Sequence, residues 1–146
     1  MKKIIIINGP NLNLLGNREQ GIYGDASLED IRQLTQTKSA ELNLECFFCQ
    51  SNSEGDLINH IQSARKDYDG LIINPAAFTH TSIALLDALR TLDKPKIEIH
   101  LSNIYTREDY RKKSITSEGV NGLICGFGSL SYILAIEALS KMIYTK

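Results

Sequence analysis

Apolar residues come first as an unbroken run at positions 4–7 in MKKIIIING, the pattern of a strand covered on both faces. Ser27-Leu28-Glu29-Asp30 resembles a capping box with Asp in the Glu position, and it opens an amphipathic segment carrying Leu28, Ile31, Leu34 and Leu42. A second strand is expected over 45–50. Leu57, Ile61, Ala64 and Tyr68 then recur at i, i+4, i+7 and i+11, one stripe of a helix. GLIIN, stopped by Pro75, predicts a third strand, and residues 82–92 a helix with Leu85, Leu86 and Leu89 on one side. KIEIHL and GLICG supply strands four and five. Tyr132, Ile136, Leu139 and Ile143 line a C-terminal helix.

Strands alternating with helices call for a parallel sheet with right-handed crossovers and helices on both faces. The expected fold class is α/β: one flavodoxin-like domain over 1–146, a three-layer α/β/α sandwich on a five-stranded parallel sheet of order 2-1-3-4-5. Length agrees, since 146 residues suffice for one well-buried core.

Composition narrows the function classes. A charged fraction of 23% and a net charge of −1, with no block of like charges, leave no electrostatic footprint for nucleic acid or an anionic membrane surface. The first apolar run is too short for a signal peptide, and none approaches a membrane span, so the cytoplasm is the expected location. Cys46, Cys49 and Cys125 make an odd count, which argues against a disulfide framework. Cys46 and Cys49 match C-x-x-C, but on a strand residues three apart point to opposite faces, so they are read as buried small side chains.

In such sheets ligands bind beyond the carboxyl ends of the strands, which shortens the search for chemistry. After strand one come Asn8, Asn11 and the loop NREQGIYGD, whose Arg18 and Tyr23 are unusual for a plain connection. Asn74 and His80 follow strand three. Glu98 and His100 close strand four, followed by Ser102, Asn103, Arg107 and Arg111, the arginines being expected on one face of a short helix. Amides, imidazoles and arginine forks together suit a small, anionic, oxygen-rich ligand. Glu98 and His100 are i and i+2 on a strand, so they share a face, and a carboxylate beside an imidazole prepares it for proton transfer.

Other classes fit less well. GPNLNLLG matches neither a phosphate-binding nor a dinucleotide-binding loop, GFGSLS lacks nucleophile-elbow spacing, and Asn8 and Asn74 stand where a phosphoacceptor carboxylate would be needed. A zinc-dependent hydrolase could recruit His80, His100 and Glu98, without a supporting spacing motif. A non-catalytic binding protein on the same fold also stays open.

The stretches NGPNLNLLGNREQGIYG, QSNSEGDLI, INPAAFTHTSIAL, IEIHLSN, YTREDYRKKS and GFG closely resemble type II 3-dehydroquinate dehydratase, in order along nearly the whole chain. The resemblance implies a hydro-lyase of the shikimate pathway that converts 3-dehydroquinate to 3-dehydroshikimate through an enolate, with no cofactor and no metal. It implies Tyr23 as the base at C2, Arg18 stabilising its phenolate, Asn11 placing a water on the enolate oxygen, and His100 as acid with Glu98 as its partner. Asn74, His80 and Arg111 would bind substrate hydroxyls, Leu101 (through its N–H) and Ser102 the carboxylate, and Arg107 would lie near the closed loop. Asp87 would reach a neighbour's site in a homododecamer, a tetramer of trimers. Ala76, Gln20 and Leu86 depart from the family's usual glycine, proline and polar residue at those positions.

Overall fold

The structure is a computed structural model that describes residues 1–16 and 25–145. Among these, five strands and four α-helices alternate: β1 Lys2–Asn8, α1 Leu28–Glu41, β2 Leu44–Gln50, α2 Glu54–Asp67, β3 Gly70–Asn74, α3 Ile83–Arg90, β4 Lys96–His100, β5 Gly122–Cys125 and α4 Leu130–Tyr144. The strands form one parallel sheet of order 2-1-3-4-5, as the alternation predicts.

The isoleucine run shows why β1 is central. Ile4 and Ile6 join a core with Ile31 of α1 and Tyr132, Ile136 and Leu139 of α4, whereas Ile5 and Ile7 join a second core with Leu57 and Ile61 of α2 and Leu85 and Leu89 of α3. None of the four isoleucines is more than 3% exposed. Burial stabilises by about 1.5–3 kcal/mol for each such side chain. Cys46 packs on the first core and Cys49 on the second, the opposite facing expected from strand parity. All three thiols are free. Burial raises the Cys46 thiol pKa and pushes that of Cys49 up to about 11, the reverse of a redox-active pair.

Helix α1 begins as its sequence suggests. The Ser27 hydroxyl accepts from the Asp30 N–H and the Asp30 carboxylate accepts from the Ser27 N–H, each at 3.1 Å. Its buried face is different from the expected one, however. Ile31, Thr35 and Ser39 are buried, and Leu34 is 45% exposed. At 3.6 residues per turn, Leu34 lies roughly 120° around the helix from Leu28, so the angle decides against its apolar character. Thr35 is tolerated inside because its hydroxyl donates to the Arg32 carbonyl at 2.7 Å.

At the carboxyl edge the chain passes close to itself. The Gly9 N–H donates to the Asn74 carbonyl at 2.8 Å. A Cβ at Gly9 would lie 2.4 Å from the Pro75 carbonyl oxygen, so only glycine fits there. Helix α3 begins one residue later than predicted because Ser82 caps it, its hydroxyl accepting from the Leu85 N–H at 2.9 Å, and it ends at Arg90 with Thr91 as its C-cap.

Candidate active site

Beyond the ends of β1, β3 and β4 the chain closes around a cleft. Asn11, Asn74, His80, His100, Leu101, Ser102, Arg107 and Arg111 all line it, with Pro10, Leu12, Ala76, Ala77 and Ile104 between them. Eight residues singled out from the sequence thus converge. Arg18 and Tyr23 lie outside the described residues. Asp87 stands on the exposed side of α3 and is not among the residues lining this cleft.

The floor is built from β4. Ile97 and Ile99 face the core under α1 and α4, which turns Glu98 and His100 to the other side of the sheet. His100 Nε2 lies 2.7 Å from Glu98 Oε2, and the two residues are 5% and 0% exposed. A buried carboxylate is costly unless every oxygen has partners. Here Oε2 also accepts from Thr79 at 2.9 Å and Ser114 at 2.7 Å, and Oε1 accepts from Thr116. Burial alone drives the Glu98 pKa upward. The His100 contact, with the Thr116 and Ser114 hydroxyls, outweighs burial and holds the carboxyl below its ordinary range. An ionised Glu98 accepts the Nε2 proton of His100, leaving Nδ1 as the ring nitrogen for proton exchange.

These three hydroxyls were not identified from the sequence. Thr79 directly precedes His80, and Ser114 and Thr116 sit in the polar stretch KKSITS, which carries no periodic signal. The segment docks because the Ile115 N–H donates to the Thr79 carbonyl at 2.7 Å and the Ser117 N–H to Ser114 Oγ at 3.1 Å. The available hint was that a carboxylate inside a strand needs more partners than one imidazole can supply, so further donors had to arrive from elsewhere.

The walls carry the remaining polar groups. His80 Nδ1 lies 2.7 Å from the Lys113 carbonyl, so Nδ1 donates and Nε2 is left as an acceptor. Burial, and then the positive charges around His100, Arg111 and Arg107, lower the His80 pKa against the raising effect of that hydrogen bond. Asn11 adopts a left-handed φ of 68°, a conformation asparagine tolerates, and its N–H donates to Asn52 Oδ1 at 3.0 Å. Asn8, the last residue of β1, is fully buried.

Arg107 and Arg111 do not share a helix. Arg107 ends the 3-10 turn Ile104–Thr106, and Arg111 ends a second turn, Asp109–Arg111. Separate short turns bring both to the rim, where one helix would have presented them to solvent together. Arg111 Nε lies 3.0 Å from the Glu108 carboxylate, an ion pair whose angle leaves the buried N–H without a hydrogen bond. Ala76 takes φ 53°, a left-handed conformation that strains any side chain with a Cβ, at the position where the resembled family usually has glycine.

A cleft that sets a hydrogen-bonded His-Glu pair against two arginines and three amide or imidazole groups suits a small, anionic, oxygen-rich ligand. A family profile described as Dehydroquinase class II matches residues 2–140. The chain belongs to the class II dehydroquinase family. Membership makes it an enzyme and a hydro-lyase. The chain is 50% identical over 142 residues to a 3-dehydroquinate dehydratase of Thermoanaerobacter pseudethanolicus, covering 97% of this chain and 96% of the relative. The solved type II dehydroquinase of Butyrivibrio crossotus superposes with a TM-score of 0.93 at 44% identity, over 94% of this chain and 97% of that one. That of Propionibacterium acnes gives 0.94 at 40% identity over 97% of both chains. The metal-site reading gains no support, because among the described residues no three His, Cys, Asp or Glu side chains are grouped to hold an ion. No helix among them is long and apolar enough to cross a membrane.

Proposed function

We propose that this dehydroquinase converts 3-dehydroquinate to 3-dehydroshikimate by anti elimination through an enolate, as a step of the shikimate pathway. The observation that carries the reading is the His100–Glu98 pair on the floor of a cleft walled by Asn74, His80, Arg107 and Arg111. Tyr23 removes the C2 proton. A phenol with an ordinary pKa near 10 is a weak base, and the positive charge of Arg18 is assigned the role of favouring the phenolate. The resulting enolate is stabilised by hydrogen-bond donation from a water placed by Asn11. His100 then gives a proton from Nδ1 to the C1 hydroxyl, which departs as water, while Glu98 keeps the ring oriented. One proton gained at Tyr23 and one lost at His100 balance the loss of water, and exchange with solvent restores both.

Asn74, His80 and Arg111, all lining the cleft, hold substrate hydroxyls. Leu101 and Ser102, where β4 ends, receive the carboxylate, and Arg107 adds positive charge at the rim. Asp87, exposed on α3, completes a neighbouring subunit's cleft in a dodecamer built as a tetramer of trimers. The enzyme works in the cytoplasm on this reading.

The test is direct. Purified protein mixed with 3-dehydroquinate generates the conjugated enone, followed by ultraviolet absorbance, and no absorbance change overturns the proposal. Replacing Tyr23 with Phe should lower turnover by roughly a hundredfold or more, the ordinary contribution of a positioned base. Near-normal turnover of that variant would remove the base assignment and leave the reaction standing.

A further inference from the structure

Beneath the cleft three polar side chains form a line, none of them more than 2% exposed: Asn8 at the end of β1, Tyr132 in the first turn of α4, and Asn74 at the end of β3. Tyr132 is otherwise part of an apolar stripe, and a hydroxyl buried there needs partners. Its oxygen lies 2.6 Å from Asn8 Oδ1 and 3.1 Å from Asn74 Nδ2. Asn8 Nδ2 donates to the Cys49 carbonyl at 2.9 Å, and Asn74 Oδ1 accepts from the Ala76 N–H at 3.2 Å.

The two ends of this line are backbone groups, whose roles cannot reverse. Cys49 C=O only accepts, which turns the Asn8 nitrogen toward it and the Asn8 oxygen toward Tyr132. Tyr132 therefore donates to Asn8, and its lone pairs are left to accept from Asn74 Nδ2. From the other end, Ala76 N–H only donates, which demands Asn74 Oδ1. Both ends give one and the same orientation for every member. Burial raises the Tyr132 pKa strongly, so the hydroxyl keeps the proton that this order requires.

We infer that Tyr132 is a positioning residue for substrate binding: held by Asn8, its hydroxyl locks the Asn74 amide so that one Nδ2 hydrogen is left facing the cleft as a donor. Asn74 lines that cleft. Of its two amide hydrogens one is taken by Tyr132, and the other is available to an acceptor oxygen of the ligand. The inference rests on Asn74 being a ligand for a substrate hydroxyl, as in the proposed function. It adds that the specificity of this contact is set from α4, outside the cleft.

The experiment is steady-state kinetics of Tyr132→Phe with 3-dehydroquinate, beside the wild type, across pH. The expected result is a KM raised three- to tenfold, a kcat within twofold and an unmoved pH profile, since the variant loosens one binding contact and leaves the His100–Glu98 pair intact. A folded variant with unchanged KM overturns the inference. Should Tyr132→Phe fail to fold, Asn8→Ala removes the group that aims the tyrosine proton, and the same rise in KM is required of it. Hydrogen exchange read by NMR on the wild type is independent of turnover. The Asn74 side-chain hydrogen held by Tyr132 should exchange more slowly than its cleft-facing twin, and equally fast exchange of both overturns the lock whatever the variants do. Absence of wild-type turnover would instead overturn the proposed reaction, leaving the exchange result to stand alone.

Discussion

Valine in place of Thr116 keeps the shape of the side chain and removes one hydroxyl from the Glu98 cage. Thr116 is fully buried and its hydroxyl serves Glu98 Oε1, whereas Thr79, Ser114 and His100 all address Oε2. Loss of a hydrogen bond to a charged group costs about 1.5–3 kcal/mol, and the other members of the cage are already engaged at Oε2. With an unfolding entropy of about 2.1 cal/mol/K per residue over 146 residues, the chain has roughly 0.3 kcal/mol/K to divide into that cost. Tm should therefore fall by about 5–10 °C at pH 7.5. The effect is linked to pH because the Glu98 pKa lies below its ordinary 4.5. A depressed carboxyl contributes stability that is complete above the unfolded value and is lost as pH falls through the folded one. Removing the Thr116 hydroxyl raises the folded value, so the variant should begin to lose this contribution at a higher pH than the wild type. Thermal unfolding by circular dichroism from pH 8 down to about pH 3 reads both effects, and the Tm deficit should shrink below pH 4.5, where the carboxyl protonates. Equal Tm values at pH 7.5, or a deficit constant across the range, would refute the reasoning that Thr116 supports an ionised Glu98.

Two further outcomes follow from single residues. Ala76→Gly should stabilise the protein by about 0.5–1 kcal/mol, since relief of a left-handed φ exceeds the extra chain entropy that glycine brings to the unfolded state; urea unfolding with an unchanged m value measures it, and a lower midpoint contradicts it. The His80 ring should titrate below its ordinary 6.5, because burial disfavours the charged imidazolium, so NMR of its ring protons should show a ring more than half neutral at pH 6.5.

Strand and helix order was legible because it depends on local periodicity. The run Ile4–Ile7 needs two covering layers wherever it sits, and parity alone put Glu98 and His100 on one face. Most of the cleft was legible too, since parallel strands bring their carboxyl ends to one edge whatever the details of the helices. Where apolar letters were weighed without their angle, as at Leu34, the reading failed. Where spacing was taken for a helix, as at Arg107 and Arg111, it failed for a related reason: four-residue spacing fixes a shared face only if the helix exists.

By itself, then, the sequence determined the α/β order, the doubly covered sheet, the list of polar residues at the strand ends and the family. Tertiary structure alone decided how those residues are held. Ser114 and Thr116 reach Glu98 from 16 and 18 positions away, Lys113 fixes His80 across 33, and Tyr132 meets Asn8 across 124. Such pairings leave no trace in local pattern. They arise because each polar group buried by the packing of helices on the sheet has to find a partner among whatever groups the same packing brings near.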